Sequence, residues 1–281
     1  IRCLCVIISS RRLTNLNRGA PGLGMGGVVL DISRYLRSLY SNTPDPLVDR
    51  EVGLASWGDL WALVPHLTQE EEEWILERAD QNYRLAQRGV LKPRGRALGY
   101  RLWRGSFDED PIWVVRAMCG AALDFALSDP KAGAVPLRGC VASGVLLTVP
   151  LTVICNYLSK DRRALAEAMA LGGLVGCYIT SRLDGRVGYD LLLGAAAGCA
   201  AGLAKLSDGS IKVVERASST AVCLTRGDVG DNCGCLDYLA SVLAGQAVVA
   251  CQMALSGQGF GLSMDEARGM FEHWARGRES Q

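Results

Sequence analysis

The sequence predicts an all-α protein in which an extramembrane helical region is followed by a four-helix transmembrane bundle with glycine-mediated packing. Three observations indicate this fold class. Long segments in the second half of the 281-residue chain are almost free of charge, and several of the 33 glycines recur in them at helical spacing. Hydrophobic residues make up 49% of the chain but aromatic residues only 6%, which is typical of closely packed helices with small side chains.

The charge balance argues against a protein that binds nucleic acid through a strong overall field. The chain has 30 basic and 29 acidic residues, and its formal net charge is +1 at pH 7. Proteins that bind phosphate backbones in this way are strongly basic or carry a concentrated basic face. We therefore expect no nucleic-acid partner.

Residues 1–30 are basic and contain no acidic side chain. Arg2, Arg11, Arg12 and Arg18 lie in this segment together with serines and glycines. Such a composition is typical of a mitochondrial targeting segment. A basic, glycine-rich arm that lies along a partner fits the same residues, so both interpretations stay open.

Residues 31–136 are predicted to form a soluble helical region. Thr68 and Glu71 have the spacing of a capping box, in which a hydroxyl and a carboxylate satisfy backbone donors at a helix start. This pattern predicts a helix over about residues 69–87. The apolar segment 111–127 is also predicted to be a helix, but it contains two charged residues and is marginal in length for a membrane span. We expect it to be interfacial or buried.

Residues 137–262 are predicted to form the membrane bundle. The helices are expected at about 137–159, 164–182, 188–205 and 236–260, and the segment 205–237 is expected to contain a long loop. The strongest signal is the run 139–159, which has 21 residues without a charge. As a helix it would be about 31 Å long and would match the hydrocarbon core. The two middle helices are short, so a buried soluble bundle stays open as the alternative.

Residues 263–281 are predicted to form an amphipathic helix and a charged tail. Ser263 and Glu266 repeat the capping-box spacing and predict a helix from about Met264 to Arg276. Its apolar residues lie at positions suited to one contact face.

Glycines at intervals of four are the residues singled out for helix packing. They are Gly172 and Gly176 on one predicted helix and Gly194, Gly198 and Gly202 on the next. Small residues at i and i+4 let two helix backbones approach closely, whereas each glycine on an isolated soluble helix would cost about 1 kcal/mol relative to alanine. A transmembrane helix pair is therefore favoured over a soluble core.

A family resemblance rests on the same segment. An acidic turn at Asp184 leads through Tyr189 and Asp190 into Gly194 and Gly198. Together with four short apolar helices, this pattern resembles the mitochondrial inner-membrane preprotein translocase family, and in particular its respiratory complex I accessory-subunit branch. The resemblance implies a location in the mitochondrial inner membrane. The unusually large soluble region before the bundle favours the accessory subunit over a core translocase.

The cysteines and histidines do not indicate a catalytic or metal site. Five of the eleven cysteines, Cys140, Cys155, Cys177, Cys199 and Cys251, lie in apolar segments, where a thiol packs as a small hydrophobe. Cys223, Cys233 and Cys235 cluster in the predicted loop, and packed thiols, a disulfide and a metal site completed by an aspartate all stay open. His66 and His273 lie in no recognisable catalytic arrangement. The sequence thus predicts no catalytic residue, cofactor-binding residue or metal ligand.

These observations lead to one functional prediction and two alternatives. The prediction is a structural, non-enzymatic accessory subunit of a mitochondrial inner-membrane complex, in particular respiratory complex I, with other membrane subunits and lipids as partners. It takes part in electron transport only through assembly of that complex. The first alternative is a protein or metabolite translocase. The second is a soluble all-α enzyme or interaction domain whose core is formed by the apolar helices.

Overall fold

The described part of the chain is largely helical. A computed structural model describes residues 31–105, 110–129, 131–183, 188–225 and 236–279. These residues form twelve α-helices and one 3₁₀ turn, and no β-strand occurs in these ranges. The predicted all-α class is therefore confirmed. The predicted arm 1–30 lies outside the described residues.

The helix bounds follow the predicted segments closely in most places. The helices are α1 (Ile32–Leu39), α2 (Pro46–Leu54), α3 (Trp57–Leu63), α4 (Gln69–Leu91), α5 (Leu98–Arg104), α6 (Pro111–Ser128), α7 (Val141–Tyr157), α8 (Arg162–Thr180), α9 (Gly188–Leu206), α10 (Ile211–Leu224), α11 (Leu236–Leu255) and α12 (Met264–Glu279); the 3₁₀ turn is Val64–His66.

Both predicted capping boxes are present. At the start of α4 the Thr68 hydroxyl accepts from the Glu71 backbone N–H, and the Glu71 carboxylate accepts from the Thr68 N–H at 2.7 Å. Ser263 and Glu266 form the same reciprocal pair before α12. Each box satisfies backbone donors that the first helical turn leaves without intrahelical partners.

One hydrophobic core joins the N-terminal helices to the later ones. Buried apolar residues from Ile32 in α1 to Ala275 in α12 belong to a single cluster. The 23-residue helix α4 packs against both α6 and α7, so the predicted boundary near residue 136 does not separate two cores. Among the tryptophans, Trp57 is buried in this core whereas Trp103 is 39% exposed.

Helix α9 lies at the centre of the molecule. It packs against α7, α8, α10 and α11. Within its window Tyr189–Leu206, 89% of the residues are buried by other parts of the chain. Alanine and glycine dominate this helix, which lets four neighbours approach one backbone without large side chains between them.

The prediction of a long loop between the last two apolar segments was wrong, because α10 forms there. Its residues Val214, Ala217 and Ala221 recur at helical spacing and are buried, whereas Lys212 on the opposite side is exposed. The polar outer face interrupts the hydrophobic run, and a scan for continuous apolar segments misses such an amphipathic helix. Five helices, rather than four, therefore occupy the described residues between 137 and 262.

Three of the described helices are long and apolar enough to cross a membrane by length and composition alone: α6, α9 and α11. The segment with the strongest predicted membrane signal forms α7, which is a shorter helix of 17 residues. It contains Pro150, which is buried against neighbouring helices. The apolar windows of α6 and α11 are 50% and 61% buried within the protein.

Candidate functional site

A buried polar cluster lies at the C-terminal end of α8. The guanidinium of Arg138 and the carboxylate of Asp49 approach to 2.9 Å, and their side chains are only 3% and 9% exposed. The Cys177 thiol donates to Asp49 Oδ1 at 3.2 Å, and Arg138 Nη1 donates to the Thr180 hydroxyl. We call Asp49, Arg138, Cys177 and Thr180 the polar cluster.

The connection between α6 and α7 positions Arg138. The Asn82 side chain on α4 accepts from the Val135 N–H at 2.8 Å and donates to the Val135 carbonyl at 3.0 Å. These two hydrogen bonds hold the backbone of this segment against α4, as a neighbouring β-strand would hold it. The Arg138 N–H then donates to the Leu39 carbonyl at 2.6 Å. Arg138 and Gly139 have φ values of +52° and +79°, which turn the chain into α7.

Asp49 and the two α8 residues reach the cluster from regular helices. Asp49 lies in the first turn of α2, which begins with the Pro46 ring at a position where no backbone donor is needed. Cys177 and Thr180 lie in the last turn of α8 and face α2. The Thr180 hydroxyl also donates to the Gly176 carbonyl at 2.9 Å, which orients its oxygen as an acceptor for Arg138.

The charges of the cluster are paired with each other inside the protein, and the cluster therefore positions helices. A buried ion pair holds its partners together because removing either one leaves an uncompensated charge. Burial raises the pKa of Cys177 to about 12, with the Asp49 charge adding to this and Arg138 opposing it. A thiol with this pKa is protonated at neutral pH, so it serves as a hydrogen-bond donor and not as a nucleophile.

A second set of contacts ties α12 to the same end of α8. The Tyr178 hydroxyl donates to Asp265 at 2.5 Å, and Arg268 pairs with that carboxylate at 2.7 Å. The Arg268 guanidinium also lies 4.1 Å from the Tyr178 ring centroid and donates to the Gly53 carbonyl at 3.0 Å. Burial raises the pKa of Tyr178, so the phenol stays a donor. Helices α2, α8 and α12 are thus joined through polar groups.

The glycines singled out in the sequence lie at the crossing of α8 and α9. A Cβ placed on Gly198 would lie 2.1 Å from the Gly172 carbonyl oxygen, and one on Gly176 would lie 3.0 Å from the Gly194 oxygen. Gly202 is in similar contact with the backbone of Ala168. These distances leave no room for a side chain between the two backbones.

The described cysteines are all free thiols. Cys119 on α6, Cys199 on α9 and Cys251 on α11 are buried, and desolvation raises the pKa of each, to about 12 for Cys251. Cys223 is partly exposed at the end of α10, whereas Cys233 and Cys235 lie outside the described residues. Within the described part of the chain, no three His, Cys, Asp or Glu side chains are close enough to hold a metal ion.

The two histidines are both exposed and lie apart from the polar cluster. Neither Asp49 nor Arg138 lies in a motif that predicts a functional residue. The available signal was Arg138 itself, a charged residue immediately before a long run without charge. A charge at that position requires either solvent or a buried partner.

Comparison with known proteins assigns this chain to a family. The family model of the serine dehydratase alpha chain matches residues 62–272. The chain belongs to the serine dehydratase alpha chain family. The match runs from the end of α3 into α12, so it includes Arg138, Cys177 and Thr180 of the polar cluster but not Asp49.

Curated bacterial proteins are similar to this member of the serine dehydratase alpha chain family. A UPF0597 protein of Nitratidesulfovibrio vulgaris is 27% identical over 224 residues, which cover 78% of this chain and 50% of the relative. A UPF0597 protein of Chromobacterium violaceum is 26% identical over 217 residues, with coverages of 75% and 50%. The chain thus spans about half the length of the curated relatives it matches. No solved structure matches it.

These findings overturn the predicted identity and location. The resemblance to the mitochondrial preprotein translocase family and to complex I accessory subunits was wrong, because the family model of the serine dehydratase alpha chain covers the same helices. The predicted role in a respiratory complex was wrong for the same reason. The mitochondrial inner membrane was also a wrong location, since the relatives come from bacteria, which have no mitochondria. Glycine spacing reports close helix packing, which lipid and protein cores share.

The Cys177 thiol predicts a specific dependence of stability on pH. Its pKa is raised from 9.0 to about 12 by folding, so the folded state keeps a proton that the unfolded chain loses above pH 9. Stability is therefore complete below pH 9 and falls as the pH rises towards 12. When the pH is raised from 8 to 10.5, the unfolding free energy of both proteins changes. We expect that of Cys177→Ala to fall by about 2 kcal/mol less than that of the parent chain. Urea unfolding at both pH values measures this, and parallel losses would contradict it.

Proposed function

We propose that this protein is the alpha-chain-type part of an amino-acid lyase that removes water from L-serine. The observation that carries this proposal is the match to the serine dehydratase alpha chain family along residues 62–272. It departs from the expectation of a non-enzymatic protein, which rested on the lack of a recognisable catalytic motif. The second alternative of the sequence analysis, a soluble all-α enzyme, agrees with it.

We also propose that the apolar helices form the protein core and not a transmembrane bundle. Helix α9 supports this, because its apolar window is surrounded by protein on nearly all sides. The buried Asp49–Arg138 pair supports it as well, since the charges are neutralised by each other and not by lipid headgroups. Lys212 is exposed on the outer side of α10, whose opposite side packs in the core.

The proposed reaction sets clear chemical requirements. Loss of water breaks the Cα–H bond and the Cβ–O bond of serine and yields 2-aminoacrylate, whose imine tautomer hydrolyses to pyruvate and ammonia. A base must accept the Cα proton, and an acid must assist departure of the hydroxyl group. The polar cluster holds α2, α8 and the 137–139 turn in fixed positions, and we assign it a positioning role in this enzyme.

An assay on the purified chain in detergent-free buffer tests the proposal. We expect pyruvate and ammonia to appear in equal amounts from L-serine. L-Alanine, which has no leaving group on Cβ, should give neither product. The surface variant Gly269→Ala is a matched control and should keep the activity, because nothing lies within 4 Å of the added methyl group. Absence of pyruvate from L-serine, both with the chain alone and with the chain supplemented by the half of the Nitratidesulfovibrio vulgaris relative that it does not match, would refute the proposal.

A further inference from the structure

Helix α4 presents a row of exposed residues along which the charge changes from negative to positive. We call this row the α4 stripe; it consists of Glu70, Glu73, Glu77, Gln81, Arg84, Arg88 and Leu91, all of which are exposed. Their spacing of three and four residues places them along one side of the helix. Other sides of α4 pack against α6 and α7. The outward side of α4 is therefore acidic in its first half and basic in its second.

The helix dipole accounts only for the ends of this pattern. It favours acidic residues in the first turn and basic residues in the last, and its effect falls off beyond them. Glu77 lies about two turns after the start of α4, and Arg84 lies about two turns before its end. The charges on either side of the middle of the stripe are therefore not explained by the dipole.

The arginines of the stripe are free to bind a carboxylate. Neither Arg84 nor Arg88 forms an ion pair with any residue in the described ranges. Glu73 accepts from Gln69 Nε2 at 2.8 Å, and a carboxylate oxygen of Glu77 lies 2.6 Å from Nη1 of Arg78. A carboxylate has two oxygens with about four acceptor positions, so each of these glutamates accepts a further donor without losing its present contact.

The middle of the stripe borders an open groove. The groove has a volume of about 370 Å³, and its lining includes Glu77, Gln81, Arg84, Asp80 and Arg162. Asp80 lies four residues before Arg84, but its carboxylate pairs with Arg162 on α8 at 3.4 Å. The centre of the stripe is therefore a concave, charged surface with room for side chains of another helix.

We propose that the α4 stripe is the contact surface between two copies of this chain, in which the two α4 helices lie antiparallel. The midpoint between Glu77 and Arg84 falls between residues 80 and 81, and the midpoint between Glu73 and Arg88 falls at the same place. A two-fold axis at that point sets Glu77 opposite Arg84 of the second copy. It also sets Glu73 opposite Arg88 of the second copy. Each of these ion pairs occurs twice, because a two-fold contact uses the same surface of both copies.

The charge order of the stripe determines both the direction and the register of this contact. Two parallel copies would bring Glu77 against Glu77, whereas two antiparallel copies bring carboxylates against guanidinium groups along the whole stripe. Unlike charges attract and like charges opposite each other repel, so the other arrangements are disfavoured. Because each exposed ion pair contributes little to the affinity, we expect the dimer to be weak and sensitive to salt.

Sedimentation equilibrium of the 281-residue chain tests whether the dimer forms. In low-salt buffer at up to about 1 mM protein we expect a concentration-dependent dimer. At about 1 M NaCl, where the screening length is about 3 Å, the dimer should dissociate. This part of the test needs no substitution. A parent chain that stays monomeric at low salt overturns the proposal, as does a dimer that persists at high salt.

Single charge reversals test whether the stripe is the surface involved. Glu77→Arg and Arg84→Glu each set like charges opposite each other at two places in the dimer. Each should lower the association constant by about tenfold or more. Lys212→Glu, which reverses an exposed charge on α10, is the control and should dimerise as the parent chain does. Thermal melting checks that each variant keeps the fold. Reversals on the stripe that leave the association constant unchanged overturn the proposal.

Two double variants with the net charge of the parent chain test the register. Glu77→Arg with Arg84→Glu exchanges the charges within one proposed pair, so it should restore dimerisation. Glu73→Arg with Arg84→Glu makes the same kind of exchange between residues of different pairs. It sets like charges opposite each other at both pairs and should stay weaker than the parent chain by about tenfold or more. Equal association constants for the two double variants overturn the proposal.

Discussion

Replacing Gly198 with leucine is expected to prevent the chain from reaching its folded state. Even the Cβ of alanine would lie 2.1 Å from the Gly172 carbonyl oxygen and 3.2 Å from the Gly176 nitrogen. Both neighbours are backbone atoms of α8, so no side-chain rotation relieves the clash. The whole of α8 would have to move away from α9, the helix at the centre of the core.

The size of the effect follows from what such a movement exposes. Overpacking that side chains absorb costs about 1–3 kcal/mol, and losses above about 4 kcal/mol arise where a helix pair is forced apart. Because domains are stable by only about 5–15 kcal/mol, Gly198→Leu should leave a largely unfolded population at about 25 °C. Circular dichroism and urea unfolding measure it. Gly198→Ala should show a smaller loss of the same sign.

A glycine elsewhere provides the control. Gly269 on α12 has nothing within 4 Å of the position that an added methyl group would occupy. Gly269→Ala should therefore stabilise the protein by up to about 1 kcal/mol, because alanine is the better helix former. If Gly198→Ala and Gly269→Ala changed the unfolding free energy equally, the close contact between α8 and α9 would not be a determinant of stability.

Local sequence signals predicted much of the fold because they act within one or two turns. The capping boxes at Thr68 and Ser263 set helix starts through contacts three residues apart, and both are present as predicted. The glycine spacing on α8 and α9 likewise indicated backbone approach. It did not identify the surroundings of the helices, since small residues permit the same approach in a protein core and in lipid.

Such local signals could not predict the candidate site. Asp49 and Arg138 lie in different elements and meet only after α2, α8 and the α6–α7 connection have packed. The uncharged run after Arg138 is a local signal of burial, but nothing in the residues around either one identifies the other as its partner. Helix α10 was missed for a related reason, because its buried face is visible only as a periodicity among polar residues.

The ion pair of the polar cluster yields the second large prediction. Asp49→Asn leaves the Arg138 guanidinium without a counter-charge in a site where it is 3% exposed. Arg138→Met leaves the opposite charge on Asp49. Each single substitution should cost about 3–5 kcal/mol of unfolding free energy, because an uncompensated charge stays buried.

The double variant separates the pair interaction from the general cost of changing the site. With Asp49→Asn and Arg138→Met together no net charge remains buried, so the loss should be smaller than the sum of the single losses by about 2 kcal/mol or more. The exposed pair Arg37–Glu70, whose side chains are 62% and 84% exposed, is the matched control and should couple by less than about 1 kcal/mol.

Salt distinguishes the two pairs further. At about 1 M NaCl the screening length falls to about 3 Å, which should remove the coupling of the exposed pair while that of the buried pair persists. Urea unfolding of the parent, both single variants and the double variant at low and high salt gives these values. Additive losses at Asp49 and Arg138 would mean that their charges do not hold α2 to the end of α8. The thiol of Cys177 and the hydroxyl of Thr180 would then provide that attachment through their hydrogen bonds to Asp49 and Arg138. A hydrogen bond to a charged group supplies only about 1.5–3 kcal/mol.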